Sequence, residues 1–145
     1  KYCDDVNSFF LCDYWRHFGS RQLGRMVAND DEVLQTLKRL EAHEYDFLQS
    51  LPSGFKIKVQ AVDFNVLTFK EQIKVDLETD IMIGPHGAGL MHNIFMRDRA
   101  ILIELFVDGS SANRHFHNLA SWYGRQYEGI PMGNPVNPQE LLDIV

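Results

Sequence analysis

The segment Asp80-Ile81-Met82-Ile83-Gly84-Pro85-His86-Gly87-Ala88-Gly89-Leu90-Met91-His92 constrains the fold more than any other part of the chain. Ile81 to Ile83 are apolar without alternation, the pattern of a short strand covered on both faces. Gly84, Gly87 and Gly89 then let backbone come close to whatever lies beyond the strand. Leu90 to Met96 is apolar on nearly every side, which predicts a short, deeply buried helix. A strand feeding a glycine turn at a helix start aims free backbone N–H groups at one spot, and that spot suits an anion. Glycines also serve tight turns for steric reasons alone. His86 inside the turn and a carboxylate on a strand downstream are what point to a site.

The 145 residues are one domain's worth of chain, with 45% hydrophobic and 23% charged residues as in ordinary globular proteins. A formal net charge of -6 argues against non-specific binding to nucleic acid or anionic lipid. No apolar run reaches the roughly 18 residues of a membrane span. The chain opens at Lys1 without a Met, so it reads as a piece of a longer protein. Cys3 and Cys12 could pair with each other, pair elsewhere or stay reduced.

Along the chain, Ser8 to Tyr14 has the composition of a buried strand. Trp15 to Arg25 forms a basic loop whose Arg16, Arg21 and Arg25 either face an anionic ligand or are simply solvated. Asn29 is placed to cap a helix, with Glu32 near capping-box spacing, and apolar residues from Val33 to Leu51 keep a helical period until Pro52 and Gly54. Ile57, Val59 and Ala61 alternate as in a strand with one wet face. Thr68 and Glu71 form a capping box, opening a helix with Phe69, Ile73 and Leu77 as its expected buried stripe. Ala100 to Val107 is a second buried strand interrupted by Glu104, closed by Asp108 and Gly109. A helix marked by Ala112, Phe116, Leu119, Ala120 and Tyr123 stops at Gly124. A strand from Gln126 to Ile130 and a final helix capped by Asn137 and Pro138 follow. Alternating strands and helices specify an α/β fold, a Rossmann-like, mostly parallel sheet with helices on both faces, and ligands in such sheets sit beyond the carboxyl ends of the strands.

Several chemistries are excluded by absent motifs. There is no P-loop, no dinucleotide fingerprint and no Gly-x-Ser-x-Gly nucleophile elbow. His86 and His92 are six residues apart, and His115 and His117 two apart, which fits zinc ligation poorly, so no metal is expected. Glu104 within an apolar strand needs a partner, because an unpaired buried charge costs several kcal/mol. A sugar or ribose hydroxyl and one of the arginines are equal candidates.

Glu71-Gln72, Asp80, His86-Gly87-Ala88-Gly89-Leu90, His92, Phe95 and Ile103-Glu104-Leu105, taken in this order, resemble the core of glycosyltransferase family 61. Arg25 with Asn29 and Glu32 resembles the family's upstream segment, and the likeness covers roughly 21–130. Met91 departs from the family's usual Thr. The resemblance implies an inverting glycosyltransferase, this piece being the C-terminal, donor-binding half of a two-domain GT-B architecture. Residues 1–28 would be a basic loop and first strand, and 29–145 a Rossmann-like nucleotide-sugar-binding domain. The donor would be a UDP-sugar carrying GlcNAc or a pentose, the acceptor a protein or polysaccharide hydroxyl, with no metal and no other cofactor. Donor-binding positions would be Arg21, Arg25, Glu71, Gly84, His86, Gly87, Ala88, Gly89 and Glu104, with His86 the candidate catalytic base. Neither nucleic acid nor, save through an anchor outside this piece, a membrane is an expected partner. The compartment would be the Golgi or endoplasmic reticulum lumen. A competing class is a non-catalytic nucleotide-binding or interaction domain of the same fold, which Met91 favours.

Overall fold

Strands that are apolar on both faces need cover on both, and the chain supplies it with helices between successive strands. The computed structural model describes residues 7–11, 27–42, 57–107 and 113–144. Five strands, β1 (Asn7–Leu11), β2 (Ile57–Ala61), β3 (Ile81–Pro85), β4 (Ile101–Phe106) and β5 (Gln126–Pro131), form one sheet in the order β2-β1-β3-β4-β5. Every pair is parallel. The helices are α1 (Asp30–Lys38), α2 (Phe69–Leu77), α3 (His115–Trp122) and α4 (Pro138–Leu142), with 3-10 helices at Phe64–Val66 and Ala88–Phe95. The expected adjacency of the 81–83 and 101–105 strands is observed, in the register Ile81↔Ile101 to Pro85↔Leu105.

The two faces of the sheet carry separate cores. Ile81, Ile83, Ile103 and Leu105 pack with Val33 and Leu37 of α1 and Leu141 and Leu142 of α4. Met82 and Leu102 point the other way, towards Leu90 of the second 3-10 helix and Phe116 and Ala120 of α3. Half-buried Val75 of α2 packs on that second core. β1 lies between β2 and β3, in the same sheet as the strands beyond residue 28.

Four local expectations are corrected. The helix starting at Asp30 ends at Lys38, not Leu51; Leu40 and Glu41 tighten onto Leu37 and Lys38 carbonyls, and the Glu41 carboxylate accepts from the Val59 N–H of edge strand β2. Phe47, Leu48 and Leu51 lie outside the described residues, as do Cys3, Cys12, Asp108, Gly109 and Ala112. Asn29 makes no side-chain cap bond. Its amide instead donates to the Val136 carbonyl at 2.8 Å and accepts from the Val136 N–H at 2.9 Å, a two-bond clamp joining the start of α1 to the approach to α4.

The third correction concerns α2. Its capping box is present, with Thr68 N–H and Oγ donating to the Glu71 carboxylate at 2.8 and 2.6 Å. Its apolar stripe nevertheless faces outward: Phe69 is 65% and Leu77 56% exposed, while Asp76 is buried. The polar side of the helix makes the tertiary bonds. Gln72 donates to the Phe64 and Leu67 carbonyls, and Asp76 meets His92. Rolling the helix to bury Phe69 would leave these groups unpaired, at a cost of about 1–3 kcal/mol each. The fourth is the helix after the glycine turn, which is 3-10 throughout Ala88–Phe95, with Leu90 and Asn93 buried but Met91 exposed.

Gly124 ends α3 as expected, and the structure gives the reason. Its φ is 68°, the Gly124 N–H reaches the Ser121 carbonyl at 3.2 Å, and the Arg125 N–H reaches the Ala120 carbonyl at 2.9 Å. These are the two bonds of a Schellman motif. No atom lies within 4 Å of a Cβ built there, so Gly124→Ala is resisted by backbone conformation alone. Gly124→Ala is expected to lower stability by about 1–2 kcal/mol in urea unfolding, whereas Gly87→Ala, at an extended φ of 178° and with its nearest contact at 3.7 Å, leaves stability unchanged.

Candidate active site

In a sheet of this order the chain runs from β1 outward to β2, then returns to the other side of β1 to build β3, β4 and β5. The carboxyl ends of β1 and β3 therefore border the crevice where doubly wound sheets bind ligands. His86 is the first residue beyond β3, and its N–H extends the ladder by donating to the Leu105 carbonyl at 2.9 Å. The turn from Gly87 into the 3-10 helix follows directly.

Glu104 sits on the same sheet face as Leu102, fully buried. Its register partners are Gly84 on β3 and Gly129 on β5. Glycine on both sides leaves room for a carboxylate and for the groups that must neutralise its polarity. His86 Nδ1 bonds one oxygen, and the Tyr127 hydroxyl donates to the other at 2.6 Å. Tyr127 reaches Glu104 by passing over Gly129, where a Cβ would lie 2.5 Å from the phenol oxygen and 3.0 Å from the Phe106 ring. The imidazole stacks on Phe106 at 5.8 Å and meets Phe116 edge-on at 5.4 Å. Its Nε2 lies 3.2 Å from the Asn113 Nδ2. Burial pushes the Tyr127 phenol far above its ordinary range, and the Glu104 carboxylate adds in the same direction, so the hydroxyl remains a donor.

A second histidine–acid pair stands apart from this one. His92 Nδ1 lies 2.7 Å from Oδ2 of the fully buried Asp76, and its ring stacks on Phe64 at 4.2 Å. Burial raises the Asp76 pKa above its ordinary 3.8, while the hydrogen bond and charge of His92 oppose the rise. Each histidine is thus paired with a different carboxylate, and among the described residues no group of three or more His, Cys, Asp or Glu side chains is arranged to hold a metal.

Residues 13–103 match the profile of Glycosyltransferase 61. This chain belongs to glycosyltransferase family 61. The EGF domain-specific O-linked N-acetylglucosamine transferase of Xenopus laevis is 34% identical over 116 residues, covering 80% of this chain and 19% of that protein. Its counterparts in Drosophila melanogaster and Gallus gallus are 33% and 31% identical with the same coverage. The chain thus spans about a fifth of the length of these curated relatives.

In this family 61 chain the sequence-predicted residues separate. His86, Gly87, Ala88 and Gly89 lie together at the sheet edge. Gly89 is buried, and its φ is not in the left-handed region. Gly84 lies within β3, directly opposite Glu104 in the register. Both Glu104 oxygens are engaged by protein groups, and among the described residues its hydrogen-bond partners are His86 and Tyr127. The exposed Glu71 holds its carboxylate on the N-terminus of α2, and those Thr68 bonds lower its pKa. Arg21 and Arg25 lie outside the described residues. Tyr127, Asn113 and the Asp76–His92 pair were missed. For Asp76 a signal existed: Gln72, Asp76 and Thr79 recur at helical spacing as a second, polar stripe along α2 and the turn that follows it.

Gly129→Ala and Tyr127→Phe are each expected to destabilise the protein, Tyr127→Phe by about 1.5–3 kcal/mol for a bond to a charged acceptor. Because both remove the Tyr127–Glu104 bond, and Phe removes the shortest of the new methyl's contacts, the one to the phenol oxygen, the double variant will be less unstable than the sum by roughly 0.5–3 kcal/mol in denaturant unfolding.

Asp76 supplies a pH test. A raised folded pKa means the native state holds that proton more tightly, so its contribution to stability is complete below about pH 3.8 and is lost as pH rises through the folded value. Wild type minus Asp76→Asn stability will therefore fall as pH is raised from 3.8, read from thermal unfolding across a pH series.

Proposed function

We propose that this chain is the donor-binding part of an inverting glycosyltransferase of the two-domain GT-B type. It takes UDP-GlcNAc as donor and a protein hydroxyl as acceptor, the pairing suggested by the names of the relatives. The observation that carries the reading is His86 at the carboxyl end of β3, with Nδ1 turned inward to a fully buried carboxylate. A carboxylate behind one ring nitrogen fixes the tautomer and leaves the lone pair on the other, the arrangement of a general base.

In this mechanism His86 Nε2 takes the proton of the acceptor hydroxyl as its oxygen attacks the anomeric carbon. The bond from that carbon to the diphosphate oxygen breaks on the opposite face, inverting the centre and releasing UDP. Glu104 is a positioning carboxylate that acts through His86, and Tyr127 holds the second Glu104 oxygen. Backbone N–H groups of the Gly87–Gly89 turn, with Arg21 and Arg25, stabilise the charge gathering on the diphosphate. Fixed donors carry that charge, so no divalent cation is needed. The setting is the lumen of the secretory pathway, and no described helix is long and apolar enough to cross a membrane.

The test uses the full-length protein. His86→Gln should bind UDP like wild type yet transfer about 10²–10⁴-fold more slowly. Gly87→Ala should stay folded while UDP affinity falls in calorimetry, because the methyl intrudes between backbone and diphosphate. EDTA should leave transfer intact. UDP binding without transfer in the wild type would make this a non-catalytic nucleotide-binding domain. Wild-type UDP affinity in folded Gly87→Ala would place the diphosphate elsewhere.

A further inference from the structure

We infer that Asn113 is a positioning residue that holds His86 in the tautomer with its lone pair on Nε2. This deepens the reading above and rests on it only for its catalytic consequence. Asn113 has two polar atoms at the end of its side chain, and one is committed by an unambiguous donor: the His115 backbone N–H bonds its Oδ1 at 3.0 Å. A backbone N–H can only donate, so the atom there is the carbonyl oxygen. The other atom, the amide nitrogen, is then the one facing His86 Nε2 at 3.2 Å. An amide nitrogen has hydrogens and no lone pair to offer, so Nε2 must accept.

The opposite side of the ring agrees independently. Nδ1 faces Oε1 of Glu104, an acceptor, and Glu104 Oε2 is taken by the Tyr127 hydroxyl. Nδ1 therefore carries the ring's one proton and Nε2 the lone pair. The network closes with every member satisfied: Tyr127 and His86 donate to Glu104, Asn113 donates to His86, and His115 N–H donates to Asn113. Glu104 from β4 and Tyr127 from β5 are the titratable groups bonded on this side. Arg114, Glu128 and His117 lie around Tyr127 rather than against Nε2. Among the described residues, the group bonded at Nε2 is thus a neutral donor.

The consequence is chemical. A carboxylate at position 113 would invert the arrangement, since it can only accept and would hold a proton on Nε2. At 3.2 Å the Asn113 bond is at the long end of the normal range and is easily exchanged for an arriving hydroxyl. Asn113 thus keeps the lone pair available and gives it up without leaving a charge behind.

The experiment follows ¹⁵N-histidine-labelled full-length protein by NMR near neutral pH, with UDP binding and transfer measured in parallel. Wild type should show His86 with a protonated Nδ1 and an unprotonated Nε2. Asn113→Asp, isosteric with the native residue, should show Nε2 protonated, with kcat lowered about tenfold or more and donor KM unchanged. That loss should be recovered as pH is raised. Asn113→Ala, which removes the donor without supplying an acceptor, should show Nε2 protonation and activity between those of wild type and Asn113→Asp, whereas a purely structural role predicts that Ala is the more damaging change. A protonated Nε2 in the wild type, or an unprotonated one in folded Asn113→Asp, overturns the inference. If the NMR states are as expected but transfer does not follow them, the assignment of Asn113 stands and His86 is not the base.

Discussion

A carboxylate with no access to water dictates the arrangement of this sheet edge. Glu104 is held in the middle of a parallel sheet, where an unpaired charge would cost several kcal/mol. The surroundings meet that demand in three ways. Glycines at 84 and 129 vacate the neighbouring positions, Tyr127 crosses one vacancy to donate, and His86 donates from beyond the other. Remove any one and the remaining groups are left buried with bonds unmade. Buried polar networks of this kind reward completeness, because a half-satisfied one is worse than an apolar core. The same closure fixes the imidazole in space, so the group proposed for chemistry is oriented by what keeps the core stable.

The 3-10 helix from Ala88 to Phe95 is fastened by two histidine–acid pairs of unlike character, one just before it and one within it. His86, just before it, is tied inward to β4, and His92, within it, is tied outward to α2. The tighter winding of a 3-10 helix has poorer internal bonds than an α-helix, and short pieces of it persist where tertiary contacts hold them. Here Asp76 and Phe64 grip His92 from one side while the sheet edge grips His86. The glycine turn lies between these two anchors, which gives its backbone a fixed direction.

What the sequence revealed follows the strength of each local signal. The uninterrupted apolar runs at Ile81–Ile83 and Ala100–Val107 admit few other foldings, and they became adjacent parallel strands. Thr68–Glu71 and Gly124 encode their own local geometry, and both act as caps. The misread residues depend on partners far along the chain. Asn29 had a plausible local role and found a better one at Val136; Phe69, Ile73 and Leu77 formed a clear stripe, but the polar stripe beside it had buried partners waiting in the 3-10 helix and at Phe64. At the site, His86 and the glycine turn were visible because they are contiguous. Tyr127 and Asn113 were not, because only strand register and the return of α3 bring them to Glu104 and His86.

The Asn29 clamp also has a bearing on how this protein is made. Its two partners are separated by 107 residues, so α1 leaves the ribosome long before Val136 exists. At cellular elongation rates of about 5–20 residues per second, that interval is roughly 5–20 seconds. Throughout it the apolar face of α1, with Val33 and Leu37, lacks the α4 residues Leu141 and Leu142 that complete its core. The nascent chain must therefore carry an open hydrophobic surface for a time far longer than helix formation takes. That window is where a holding chaperone would act on this protein, and the synthesis of Leu141 and Leu142 is what ends the need for it.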